Sequence, residues 1–402
     1  MGKALLYLSS VFLVFENTAL SAIGGAFTAP LVISLLPLIM LYLAFNYKRV
    51  PAYAWQPIVF IFIAGLYSLG YSLFFADDTD LAFLVDRGAR LFILNFSSFV
   101  FFTFFLCFDY SELKVASKIA SFLVVAVFML NLLSPDTVNS QSFLQGSAAF
   151  SPDRMRGYTL EASTFGFQIV TALMLLMIVF NVSFLTATIS VVAVLLFVSS
   201  KGALLTFLMA LAIGKFVITE SGRNKSLVLI IGSVTFLVGS YYLILDAFVL
   251  DIEKYNSSST RSVMIFTAIY SSVLSPLGVG FTGYFDQIYN LGPTVIDFMD
   301  SLFPNALNFE EVAVYFIRGN VQSVSTKTFF FDWVIYFGWV FIYCFFRFAA
   351  KNFKKIKGDG VNNIALYIFM LVSLCFYVPL DGRIIGLLAL TTLIKYKKEG
   401  TS

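Results

Sequence analysis

Long apolar runs, interrupted by short clusters of charged and turn-forming residues, recur along the whole 402-residue chain. About 20 apolar residues in a helix span a hydrocarbon core of about 30 Å. The bounding charges place such helices near residues 4 to 23, 28 to 45, 54 to 75, 91 to 108, 115 to 133, 162 to 180, 182 to 198, 203 to 219, 227 to 245, 329 to 348, 364 to 380 and 384 to 396. Most connections are short, and two outer segments are not: one of roughly 134 to 161 and one from about 246 to 328. The pattern predicts an all-α, polytopic membrane protein of about 12 transmembrane helices, with a large outer loop between helices nine and ten. Residues 1 to 402 read as a single integral-membrane domain. The first run ends in Ser21-Ala22-Ile23-Gly24-Gly25-Ala26, which resembles a signal-peptide end. A second span follows at once, so the pair reads as an uncleaved hairpin.

Composition strengthens this picture. Hydrophobic residues make up 59% of the chain and charged ones 12%, against roughly 25% charged in a soluble domain. A water-soluble fold is excluded, and no separate soluble domain of ordinary size fits between the spans. With both termini in the cytoplasm, Lys48, Arg49, Lys114, Lys118, Arg223, Lys225, Lys351, Lys354, Lys355, Lys357, Lys395, Lys397 and Lys398 fall on the inner side, as the positive-inside rule asks. The outer side then holds Arg87, Arg90, Arg154, Arg156, Lys201, Lys254, Arg261, Arg318, Lys327 and Arg383, so seven of the ten arginines lie where topology does not require positive charge. A planar guanidinium suits phosphate or carboxylate, whereas a solvated lysine suffices for orientation.

Several chemistries are removed at the outset. The chain has no histidine, which excludes histidine bases, histidine triads and histidine metal ligands. Cys107, Cys344 and Cys375 sit singly in apolar runs and read as packing residues. No Walker A loop and no dinucleotide fingerprint occur. Neither a metal, a cofactor nor a nucleic-acid partner is indicated.

Candidate chemistry lies at the outer helix starts. Arg87 and Arg90 precede the fourth span, Arg154 and Arg156 the sixth, Lys201 the eighth, Lys327 the tenth and Arg383 the twelfth. A helix N-terminus already carries about half a positive charge, so an added cation there costs roughly 0.3 to 1 kcal/mol. The arrangement makes sense if an anion sits among these ends, held by free N–H groups and cations together. Ser199, Ser200, Ser325 and Thr326 could cap their helices beside it. The blander alternative is that these cations snorkel to lipid phosphates. On an outer membrane face an activated donor must be lipid-borne, and a prenyl pyrophosphate combines membrane partitioning with an anionic leaving group. Cations at that group would stabilise charge growing in the transition state without a metal. The 48 Phe and 20 Tyr could line a lipid groove or stack on sugars, although most suit lipid-facing and interfacial positions.

At these residues a resemblance emerges. Arg154-Met155-Arg156-Gly157-Tyr158-Thr159-Leu160-Glu161-Ala162-Ser163 resembles the Arg-x-x-Gly-x-x-x-Glu-Pro-Ser pattern of bacterial O-antigen polymerases of the Wzy type. Ser199-Ser200-Lys201-Gly202-Ala203 is similar to that family's Ser-(Arg/Lys)-Gly-Ala step. Thr260-Arg261 followed by Pro276-Leu277-Gly278-Val279-Gly280 resembles the Arg and Pro-x-Gly-x-Gly of its large external loop, and Lys327 to Asp332 with Gly338 its re-entry into the membrane. The resemblance covers roughly residues 150 to 345, with Ala162 where the family often has Pro. It implies a GT-C-like glycosyltransferase of the bacterial inner membrane that joins undecaprenyl-pyrophosphate-linked oligosaccharide repeats into O-antigen, or a similar surface polysaccharide, at the periplasmic face. It also implies work beside a repeat-unit flippase and a chain-length regulator.

Glu161, Arg154 and Arg261 are the catalytic candidates, with Glu161 as base for the incoming hydroxyl. Arg156, Lys201, Lys327, Arg318, Arg383 and Arg90 are candidate pyrophosphate ligands, and Asp332 and Glu310 are reserve bases. Two other readings stay open: an O-antigen ligase, and a flippase or transporter for lipid-linked oligosaccharide. The related ligases are thought to rely on a histidine, which this chain lacks. No inverted repeat favours the transporter, although Glu16, Asn17, Asn95 and Asn131 would suit a polar path.

Overall fold

A computed structural model describes residues 1–20, 30–75, 81–135, 155–219, 257–302, 304, 307–320, 324–378 and 383–396. Arg154, the segment 227 to 245 read as the ninth span, and most of the loop at 134 to 161 lie outside the described residues. Among the described residues regular structure is entirely helical: α1 (Gly2–Phe12), α2 (Leu36–Phe45), α3 (Gln56–Phe75), α4 (Leu81–Leu106), α5 (Tyr110–Leu133), α6 (Ala162–Val179), α7 (Phe184–Val198), α8 (Lys201–Ile218), α9 (Ser257–Leu274), α10 (Gly280–Leu302), α11 (Glu310–Tyr315), α12 (Phe329–Ile356), α13 (Val361–Phe376) and α14 (Ile384–Lys395), with short 3-10 turns between α1 and α3. Six of these helical segments are long and apolar enough to cross a membrane, and four apolar helical segments are shorter. The chain is a polytopic membrane protein.

Burial separates the helices into an inner and an outer set. The apolar stretch of α6 is 83% buried, whereas that of α3 is 22% buried. Val59, Phe62, Ile63, Leu66, Leu69 and Leu73 of α3 are exposed, as a lipid-facing helix requires, because apolar side chains in hydrocarbon need no cover. Around α6 stand α5, α8, α13 and α14. A second group is formed by α3, α4, α9, α10 and α12, with α4 and α12 also touching α14.

Local chemistry sets several boundaries. Glu112 accepts the Asp109 N–H at 3.2 Å at the start of α5, satisfying a donor that the helix leaves open. Ser183 accepts the Thr186 N–H at 3.2 Å at the start of α7. The first apolar run does not stay helical throughout: α1 ends at Phe12, and the buried Gln168 of α6 donates to the freed Leu13 carbonyl at 2.7 Å.

Another departure concerns residues 246 to 328, expected as an outer loop. Their described part contains two long helices packed on the bundle, α9 against α10 and α12, and α10 against α3 and α4. In α10 the buried positions Phe281, Tyr284, Phe285, Ile288, Gly292, Val295 and Met299 follow helical spacing, while Asp297 and Asp300 face outward. Half of each turn is polar, so the stretch lacks the uniform hydropathy of a span.

The turn between α9 and α10 locks onto a break in α12. Gly338 takes φ 52 and ψ −136 there, a backbone region reserved for glycine. A Cβ at Gly338 would strike the Pro276 carbonyl. That carbonyl accepts the Trp339 N–H at 2.9 Å, and the Val279 N–H donates to Ile335 at 3.0 Å. The Pro276-Leu277-Gly278-Val279-Gly280 run is therefore a helix-to-helix clasp.

Candidate functional site

The turn that follows α13 brings several helix starts together. Tyr377 donates its hydroxyl hydrogen to the Ser163 carbonyl at 2.7 Å, in the first turn of α6. Its oxygen lies 2.7 Å from Ser200 Oγ, just before α8. A phenol has one hydrogen, so Ser200 must be the donor in the second bond. Ser200 is thereby drawn away from capping α8, whose start has no side-chain cap. The ring of Tyr377 lies against Gly202, where any Cβ would collide with it. The Ser200-Lys201-Gly202 step thus has a structural reason: hydroxyl, cation, and room for one aromatic ring.

Arg261 of α9 approaches the same tyrosine. Its guanidinium lies 5.7 Å from the ring centroid, and Nη1 donates to the Tyr377 carbonyl at 3.4 Å. On the other flank Arg383, 6% exposed before α14, donates from Nη2 to Thr164 Oγ1 at 2.7 Å, and Asn17 donates to that oxygen at 3.3 Å. Arg261, Arg383 and Glu161 all act electrostatically on the Tyr377 hydroxyl.

Lys327 completes the group. It lies just before α12, with its ammonium 5.2 Å from the Tyr315 ring centroid. Its φ is 60, unusual for a residue with a Cβ, and the Ser325 hydroxyl accepts its N–H at 3.2 Å. Burial draws the Lys327 ammonium below the usual lysine pKa, with Glu161 and Glu311 opposing that shift and Arg261 adding to it. Glu161 is exposed and accepts the Ser163 hydroxyl at 3.0 Å. Lys201, half-buried, opens α8 beside Ser200. Glu161, Arg261 and Arg383 therefore surround Tyr377, Lys327 is coupled to them through Glu161 and Arg261, and Lys201 is one residue from the Ser200 partner of the tyrosine.

Other candidates fall elsewhere. Arg87 and Arg90 lie two turns inside α4 rather than before it, and both pair with Asp86, at 3.5 and 3.2 Å. Arg318 pairs with Asp286 of α10 at 3.2 Å. Arg90 and Arg318 thus each have a carboxylate partner on the same or a neighbouring helix. Arg156 is 1% exposed, and burial lowers the pKa of its guanidinium. It is built into the fold beneath the site: the Gly157 N–H donates to Asn131 at 3.1 Å, and the Leu160 N–H to Asn17 at 2.9 Å. Asp332 accepts from Tyr284 and from the Thr326 N–H, the latter at 2.8 Å, and so holds the strand of chain that carries Lys327. Both bonds fall on Oδ1. Glu310 is exposed at the start of the six-residue α11.

The cation pattern has a different cause at α14. Fully buried Glu16 accepts the Ile385 N–H at 2.7 Å and lies near Arg383. The chain itself places a carboxyl group at that helix start. Sequence reasoning noticed Glu16 and Asn17 only as polar residues, and it passed over Tyr377 and Thr164 altogether. Among the described residues no group of three or more Cys, Asp or Glu side chains could hold a metal.

Fold and site define a polytopic α-helical membrane protein with a cation-rich, hydroxyl-lined group where several helix ends meet. The chain is 33% identical over 379 residues to an "Uncharacterized 49.5 kDa protein in cps region" of Klebsiella pneumoniae, covering 92% of this chain and 87% of that one. It belongs to the same family as that protein. No protein-family model matches it, and no solved structure matches it.

Proposed function

We propose that the protein polymerises lipid-pyrophosphate-linked oligosaccharide repeats into a bacterial surface polysaccharide at the periplasmic face of the inner membrane. The observation that carries this reading is the gathering of Arg261 and Arg383 around Tyr377, with Lys327 coupled to the group through Glu161 and Arg261, where the starts of α6, α8, α12 and α14 meet. A relative encoded in a cps, or capsular polysaccharide, region points to the same broad process. That relation fits a capsule or another surface glycan as well as O-antigen.

In this mechanism the donor's pyrophosphate lies against Arg261 and Lys327, with Arg154 and Lys201 as further ligands. A hydroxyl of the incoming repeat attacks the anomeric carbon, and the bond from that carbon to the pyrophosphate oxygen breaks with its electron pair leaving on the phosphate. The cations stabilise this growing charge. Glu161 receives the hydroxyl proton, and a single displacement inverts the anomeric centre. Arg383, tied to Thr164 and near Glu16, positions the turn that carries Tyr377 rather than touching the leaving group.

The experiment is a chromosomal deletion in the source strain followed by analysis of lipid-linked glycans. Single repeats on the lipid carrier with loss of long chains support the proposal. Long chains of normal length in the deletion strain overturn it.

A further inference from the structure

A second feature lies at the opposite end of the bundle. A cavity of about 460 Å³ runs between α3, α4, α12, α13 and α14, within the usual range of ligand sites. It follows α12 from Phe329 in its first turn to Lys355 in its last, roughly the thickness of a bilayer core. Its walls are markedly asymmetric. Towards the middle they are formed by Phe60, Phe99, Phe102, Phe341, Phe345 and neighbouring aliphatic residues. At the far end Gln56, Tyr53, Asn352, Lys351 and Lys355 close the space. Lys395 adds a third cation there, 5.5 Å from the Tyr53 ring centroid.

Among the described residues no carboxylate lines this cavity. Lys351 and Lys355 stand one turn apart on the same helix, a like-charge spacing that is mildly repulsive on its own. Both are exposed at the end of α12 that carries the other lysines of the predicted cytoplasmic cluster. A basic pocket between membrane helices on that side is the setting in which anionic lipid headgroups bind.

We infer that the cavity holds an anionic phospholipid of the inner leaflet, its headgroup phosphate on Lys351 and Lys355 and an acyl chain along the phenylalanine wall. The cationic end lies at the other end of α12 from Lys327, so the headgroup of this lipid is remote from the Tyr377 group. The headgroup site does not depend on the proposed reaction. Its upper end is Phe329, whose N–H donates to the Val378 carbonyl at 3.0 Å, next to Tyr377. Filling the cavity would buttress the turn on which the candidate site is built.

The test is native mass spectrometry of the detergent-purified full chain, with phosphatidylglycerol, phosphatidylcholine or polyprenyl phosphate added separately and then in competition. The expected result is one phosphatidylglycerol retained at least tenfold more strongly than phosphatidylcholine, with that preference lost in Lys351→Gln/Lys355→Gln. Both lysines are exposed, so the double variant should fold. Thermal unfolding should show the same lipid preference in wild type alone. Equal retention of the two phospholipids, unchanged phosphatidylglycerol retention in the double variant, or displacement of phosphatidylglycerol by polyprenyl phosphate would each overturn the inference.

Discussion

The guanidinium of Arg261 rests over the ring of Tyr377, 5.7 Å from its centroid, and reaches the Tyr377 carbonyl at 3.4 Å. This pairing joins α9, from a stretch whose sequence suggests a loop, to the turn that ends α13. It also holds one nitrogen of the guanidinium in place. Replacing Arg261 with Ala should lower polymer formation ten- to a hundredfold, the scale of one lost charge-assisted hydrogen bond of about 1.5 to 3 kcal/mol. Arg261→Lys should recover little, because the flat fork that both stacks and bonds is gone. Polymer length and yield on gels check this, with protein level in the membrane as the control.

Tyr377→Phe isolates the hydroxyl. The ring remains beneath Arg261 and against Gly202, while the Ser163 carbonyl and Ser200 lose their shared partner. A buried acceptor left without its donor costs about 1 to 3 kcal/mol, so the variant should unfold at lower temperature in detergent and make less polymer. An unchanged unfolding temperature would show that the hydroxyl does not hold α6 and α8 together.

Lys327 provides a pH test. Burial lowers its pKa below the ordinary lysine value, so it loses its proton at a lower pH than a solvated lysine does. A reaction that needs the ammonium should therefore decline on the alkaline side earlier than a solvated lysine would allow. Lys327→Arg keeps its charge above pH 12. The alkaline decline should move upward or vanish in that variant, even if its maximal rate is lower. A pH profile of initial polymerisation rate for both proteins decides it.

Gly338→Ala tests the clasp independently of chemistry. Alanine at φ 52, ψ −136 carries roughly 1 to 3 kcal/mol of backbone strain, and its Cβ would meet the Pro276 carbonyl. Thermal unfolding should show a marked loss of stability or failure to accumulate in the membrane. Trp339→Phe, which loses the indole donor to Ser272 (3.2 Å) but keeps the glycine, should be milder.

Legibility in the sequence followed physical uniformity. Spans such as α4, α5 and α12 were visible because each contains a long, strongly apolar window, and Lys327 and Arg383 stood out because a cation before a helix is electrostatically misplaced. Tyr377 had no such mark. It is one of 20 tyrosines at the end of an apolar run, and its value comes from Ser163, Ser200 and Arg261, which lie more than 100 residues away in sequence. Helix α10 escaped because its polar face diluted the hydropathy. For Arg90 and Arg318 the sequence shows the charge but not the salt bridges that Asp86 and Asp286 make to them. Glu16 was visible as an oddity, yet only the fold places it on the start of α14.

The most direct measurement is reconstitution of the purified protein with lipid-pyrophosphate-linked repeats, resolving the products by size and counting released polyprenyl pyrophosphate. The account predicts glycans lengthened by whole repeats, one pyrophosphate released for each new bond, and both products reduced ten- to a hundredfold with Arg261→Ala. Passage of intact lipid-linked repeats across the bilayer without new glycosidic bonds, or transfer only to a lipid A core, would contradict it.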